Sequence, residues 1–157
     1  MTGGKLHCNY KSYLGIGNAD SDGTLNMSGG TLYLDNTCDM GYSSDTTGRI
    51  NLSGGTIKFG RQLYVGSNGD GYLTMTGGII ISDGGGTTEV TLEVPNAKGG
   101  RGNVELLGGV MSFDNILMTG LGKINITKGT LIIKGDKRDR FEQYVDFGWI
   151  KAYDGFG

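Results

Sequence analysis

The phrase Leu25-Asn26-Met27-Ser28-Gly29-Gly30-Thr31-Leu32 returns as Ile50-Asn51-Leu52-Ser53-Gly54-Gly55-Thr56-Ile57, and again as Leu73-Thr74-Met75-Thr76-Gly77-Gly78-Ile79-Ile80. A unit of about two dozen residues cannot bury its own apolar face. Repetition at such a period therefore requires stacked units that share one continuous core. Most residues are thereby assigned to architecture, and only what decorates the units remains to carry chemistry.

At 157 residues the chain is one domain. Its 32 glycines show no three-residue period, which excludes collagen, and regularly spaced apolar residues exclude a disordered Gly-rich linker. With 14 basic against 16 acidic residues and a net charge of -2 there is no basic stripe for a phosphate backbone, so nucleic acid is not an expected partner. No apolar run approaches the roughly 20 residues that span a bilayer, so a soluble chain without a membrane partner is expected. Met1-Thr2-Gly3-Gly4 already fills the Met-Ser-Gly-Gly slot of the phrase, so the chain reads as a module excised from a larger parent. Cys8 and Cys38 are too few for a disulfide scaffold and lack metal spacing; both take inward positions, as buried thiols or as a bridged pair.

Register is marked by the glycine before each phrase: Gly23, Gly48, Gly71, Gly102 and Gly122, at steps of 25, 23, 31 and 20 residues. The longest step holds an insertion, Asp83 to Thr88 and Pro95 to Arg101, around a strand at Glu89 to Val94. Three segments of each unit alternate apolar with polar, as half-buried strands do. The first carries Leu25/Met27, Ile50/Leu52, Leu73/Met75, Val104/Leu106 and Ile124/Ile126. The second carries Leu6/Cys8, Leu32/Leu34, Ile57/Phe59, Ile80, Met111/Phe113 and Leu131/Ile133; the third carries Leu14/Ile16, Cys38/Met40, Leu63/Val65, Leu92/Val94 and Ile116/Met118. The expected fold is all-β: a single-domain parallel β-helix, a solenoid with three short strands per coil and about five to six coils. Coils occupy 1–134, and 135–157 form a C-terminal capping segment with a helical turn around Phe141 to Val145 and packing from Trp149 and Tyr153. The double glycine turns a corner between sheets, where positive φ or close backbone approach is needed.

Outward positions on the second strand are His7, Tyr33, Lys58, Ile81, Ser112 and Ile132, and on the third Gly15, Asp39, Tyr64, Glu93 and Leu117. Tyr72 is outward on the first strand, while Tyr10, Tyr13 and Tyr42 lie at or beside turns. Tyrosine offers a sugar both an apolar face and a hydrogen-bonding hydroxyl, so Tyr33 with Lys58 and His7, Tyr64 with Asp39 and Glu93, and Tyr72 are the candidate carbohydrate-binding residues. Asp39 and Glu93 stand two rungs apart on a solvated face, roughly 10 Å, and no histidine triad exists because His7 is the only histidine. Binding without catalysis is the expectation. Asp20, Asp22, Asp45 and Asp70 fall in turns at one corner, where converging oxygens could hold calcium, although Asp and Asn next to Gly are also ordinary turn formers. No other cofactor is expected.

The string Leu63-Tyr64-Val65-Gly66-Ser67-Asn68-Gly69-Asp70-Gly71-Tyr72-Leu73-Thr74-Met75-Thr76-Gly77-Gly78 resembles repeats of bacterial autotransporter passengers and PEP-CTERM-associated surface proteins. Gly148-Trp149-Ile150-Lys151-Ala152-Tyr153-Asp154-Gly155 is similar to segments that close such arrays in secreted polysaccharide-degrading proteins. The resemblance implies a right-handed β-helix. As a fragment of this length the chain also resembles the β-helical carbohydrate-binding module of family 89, appended to bacterial xylanases. That resemblance implies an extracellular bacterial protein and a module bound to xylan or a related plant β-glycan, with a covalently attached glycoside hydrolase as its partner; a monomer is expected. Two other classes remain: a passive stalk or adhesin segment of a surface protein, and a β-helix lyase or hydrolase.

Overall fold

The computed structural model describes residues 1–9, 14–18, 20–83, 89–95 and 99–153, with the side chain of Leu14 left out. Tyr10, Tyr13, Asp154, Gly155 and most of the insertion lie outside the described residues. The first repeat contributes β1 (Lys5–Cys8) and β2 (Leu14–Ile16), and the second β3 (Gly23–Met27), β4 (Thr31–Leu34) and β5 (Cys38–Met40). The third contributes β6 (Thr47–Leu52), β7 (Thr56–Phe59) and β8 (Leu63–Val65), the fourth β9 (Asp70–Ser82) and β10 (Thr91–Val94). Then follow β11 (Gly102–Phe113), β12 (Asn115–Met118), β13 (Gly122–Ile126), β14 (Thr130–Ile133), the helix α1 (Arg138–Asp146) and β15 (Ile150–Ala152).

The fold is mostly β, and its paired strands run parallel from each repeat to the next. Gly23, Gly48, Gly71, Gly102 and Gly122 stand in one register file, as their spacing predicts. The strands make two sheets, not three. The first and second segments share a ten-stranded sheet, and the third segments form a five-stranded one in the order β2-β5-β8-β10-β12. The merger has a local cause: β9 and β11 run unbroken through Gly77-Gly78 and Gly108-Gly109, and their pairing resumes beyond the corner with only a register irregularity.

At those corners the second glycine takes positive φ, as at Gly55 (88°). The first is held by proximity: a Cβ on Gly54 would lie 2.6 Å from the Ser28 carbonyl oxygen of the repeat below. Both reasons for glycine therefore operate at one turn.

Leu32, Ile57, Ile80 and Met111 align in one inward file and are buried, as are Cys38, Leu63, Leu92 and Ile116 in the other sheet. Leu6 is 52% exposed and Leu131 only half-buried, because each ends its file. Ser82 sits in the slot that holds Phe59 below, and over this small residue Phe59 and Phe113 approach to 6.2 Å between ring centroids. The closing segment contains a full helix instead of a single turn. Tyr144 is buried and stacks on Trp149 at 5.6 Å, whereas Tyr153 is 65% exposed and does not pack as expected, since it follows the last strand and lies beyond the apolar ladder.

Candidate functional site

Parallel pairing converts single outward residues into files at strand spacing, about 4.8 Å. His7, Tyr33, Lys58 and Ile81 are consecutive in one file. His7 Nε2 lies 2.8 Å from Asp35 Oδ2, its ring tilts against Tyr33 at 5.6 Å, and Lys58 Nζ stands 5.2 Å from the Tyr33 ring centroid while 3.5 Å from Asp83. The strip read from the sequence is thus assembled, but Tyr33 is a half-buried ring with a cation over it, not a bare platform.

Asp39, Tyr64 and Glu93 are likewise consecutive in the second sheet. Asp39 departs from expectation: it is 4% exposed, where a solvated acid was expected. It lies on a three-residue strand beside the large side chain of Tyr64, which leaves little room for water. Burial pushes the Glu93 carboxyl above its ordinary range, and the Asp39 charge adds to the effect. The Tyr64 phenol is raised for the same reasons, burial first and then Glu93 and Asp39.

Tyr72 belongs to a third file, with Arg49 and Asn103 as register neighbours. Arg49 places its guanidinium carbon 5.3 Å from the Tyr72 ring centroid and reaches Asp22 at 3.9 Å. The position following each register glycine held this signal, since it reads Thr24, Arg49, Tyr72 down the chain. Beside it runs a polar file, in which Asn51 donates to Asn26 Oδ1 at 2.8 Å and Asn125 to Glu105 Oε2 at 3.1 Å. Asn26, Asn51, Ser28, Ser53, Thr74 and Thr76 line a shallow groove over it.

One cluster was not foreseen. Ser82 donates to Asp114 Oδ1 at 3.1 Å, the Val90 amide to Asp114 Oδ2 at 3.0 Å, and Lys134 Nζ lies 2.9 Å from Asp114 and 2.5 Å from the Ser82 hydroxyl. Burial alone would raise the Asp114 carboxyl, but the bonds from Lys134, Val90 and Ser82, with the lysine charge, hold it below its ordinary value. Its trace in the sequence is a serine at an inward slot otherwise filled by Cys8, Leu34, Phe59, Phe113 and Ile133.

The turn acids take local backbone roles. Asp22 accepts from the Thr47 amide at 2.7 Å, Asp20 and Asp45 adopt positive φ as turn residues, and Asp70 begins β9. Among the described residues no group of three or more His, Cys, Asp or Glu is placed to hold a metal ion. Cys8 and Cys38 are free thiols, and burial, with Cys8 adding to it, pushes Cys38 up to about 12. No described helix is long and apolar enough to cross a membrane. No protein-family model matches the chain, and neither a curated protein nor a solved structure matches it.

Proposed function

We propose that the chain winds as a right-handed parallel β-helix, three strands to a coil in about five to six coils, and serves as a non-catalytic carbohydrate-binding module. The winding is supported by both sheets following the repeats in chain order and in parallel register. One observation carries the binding role. The file His7, Tyr33, Lys58, flanked by Asp35 and Asp83, sets a phenol ring among hydrogen-bonding groups on one long face. A pyranose presents apolar C–H faces and a belt of hydroxyls, so a row of aromatic and polar side chains at strand spacing matches an extended glycan. Tyr72 with Arg49, and the Asn26 to Thr74 groove, extend the same chemistry around the adjoining face. The ligand in this reading is xylan or a related plant β-glycan, and the setting is an extracellular bacterial protein with an attached glycoside hydrolase.

Affinity gel electrophoresis against soluble xylan, mixed-linkage glucan and pectin, paired with an assay for new reducing ends, tests the reading. Retardation without cleavage is expected, with Tyr33→Ala weakening it about fivefold. If Tyr33→Ala and Tyr64→Ala both bind like the parent, these files are not the site. The raised Glu93, two rungs from the buried Asp39, favours a hydrolase or lyase as the second reading, and new reducing ends would select it. Absence of retardation on every glycan would leave a passive stalk.

A further inference from the structure

The carboxyl-terminal end of the ladder is covered unevenly. β15 lies on β13, pairing Ile124 with Ile150 and Ile126 with Ala152. The helix α1 attends to β12, where the Met118 amide donates to the Tyr144 hydroxyl at 3.2 Å and Arg140 donates to Asn115 Oδ1 at 3.1 Å. Between them, β14 has β11 on one side and, among the described residues, no strand on the other. Leu131 and Ile133 are half-buried in consequence, whereas Met111 and Phe113, one rung below in the same files, are fully buried. Two hollows of about 420 and 380 Å³ share Phe141 as a wall, and the smaller one reaches this edge at Ile133. One reaches Ile126, Val145 and Ile150; the other reaches Ile133, Lys137 and Arg138.

The edge also has a direction. Main-chain groups of successive strand residues point to opposite sides, and the Lys134 amide donates back to the Phe113 carbonyl of β11. Leu131 and Ile133, of the opposite parity, therefore turn their N–H and C=O away from β11, towards the side on which no described strand lies. An unpaired row of this kind is a template for another strand. The ladder defines which strand. Inward slots at alternate positions take apolar side chains, and the residue after the second strand continues the file in which Asp114 meets Lys134 at 2.9 Å. The Lys134 side chain is still 48% exposed although it meets Asp114, whereas Lys137, near the same end, already pairs with Glu89 at 3.4 Å, so an acid one rung higher would complement Lys134.

We propose that the open edge of β14 docks an extended peptide, taken up as a parallel strand with two apolar residues at alternate positions followed by an acidic one. Continuity of the ladder and charge complementarity to Lys134 select this occupant. The capped hexapeptide Gly-Thr-Leu-Tyr-Leu-Asp, the sequence of Gly30 to Asp35, has that pattern and serves as the probe.

Titrated into the isotope-labelled protein without glycan, it should slow amide exchange at Leu131 and Ile133 by about tenfold, leaving Thr130 and Ile132 unchanged. Replacing both leucines of the peptide with serine should abolish the effect. Replacing its aspartate with lysine should weaken binding about two- to fivefold. Absence of any response at β14 up to about 1 mM peptide, or a response confined to other strands, would overturn the proposal. So would concentration-dependent protection of β14 without peptide, because that outcome assigns the edge to a second copy of the chain.

Discussion

Ile57 and Leu6 occupy the same slot of the same phrase, yet Ile57 has no exposed surface and Leu6 keeps 52% of its own. Ile57 has Leu32 on one side and Ile80 on the other, while Leu6, among the described residues, has Leu32 alone. The glycines of the phrase divide in the same way. A Cβ on Gly54 meets the Ser28 carbonyl, but one on Gly3, its counterpart in the first repeat, meets nothing within 4 Å. Burial and steric demand in a repeat fold therefore belong to the stack, not to the unit.

The two thiols give the largest contrast between interior and end. With Cys38 pushed up to about 12 from 9.0, it carries on the order of a thousandfold less thiolate than an ordinary thiol at the same pH. Native protein treated with a thiol reagent at about pH 8 should label half-buried Cys8 and spare Cys38 until it is unfolded. Equal labelling would mean the interior is open.

Core truncation comes next. Ile57→Ala should cost about 2–5 kcal/mol in urea denaturation, and Leu6→Ala less than about 0.5. Equal costs would break the comparison. A smaller effect of the same kind is expected at the corner: Gly54→Ala, which forces the backbone of two repeats apart, should cost about 1–3 kcal/mol, and Gly3→Ala almost nothing.

Smallest are the pH effects, and they run in opposite directions. Glu93 is raised above 4.5 in the folded state, so its ionisation opposes folding; the cost is absent below that value and complete once pH exceeds the raised one. Glu93→Gln should accordingly raise the thermal midpoint at pH 7 and leave it unchanged near about pH 4. Asp114 is lowered below 3.8, so its contribution is present above that value and is lost as pH falls through the lowered one. Asp114→Asn should lower the midpoint at pH 7, and the difference should shrink in acid.

Much of the fold was legible because glycine and apolar periodicity are local signals with direct physical causes. The register glycines, the inward files and the placing of the second-strand strip all follow from them. The number of sheets did not, because whether a ladder breaks at a double glycine depends on hydrogen bonds to the next repeat. Of the site, the composition of the files was legible and their state was not. Asp39 looked like a surface acid, Tyr33 like an open ring, and Ser82 like nothing in particular until Asp114 and Lys134 were beside it.

The amino-acid order alone determined which residues share a file and which way each faces, since alternation and repeat length dictate both. The assembled structure decided which of those faces are dry, which charges meet, and that β14, among the described residues, has a strand on one side only. Those properties arise from atoms of different repeats approaching one another, and no single stretch of chain contains them.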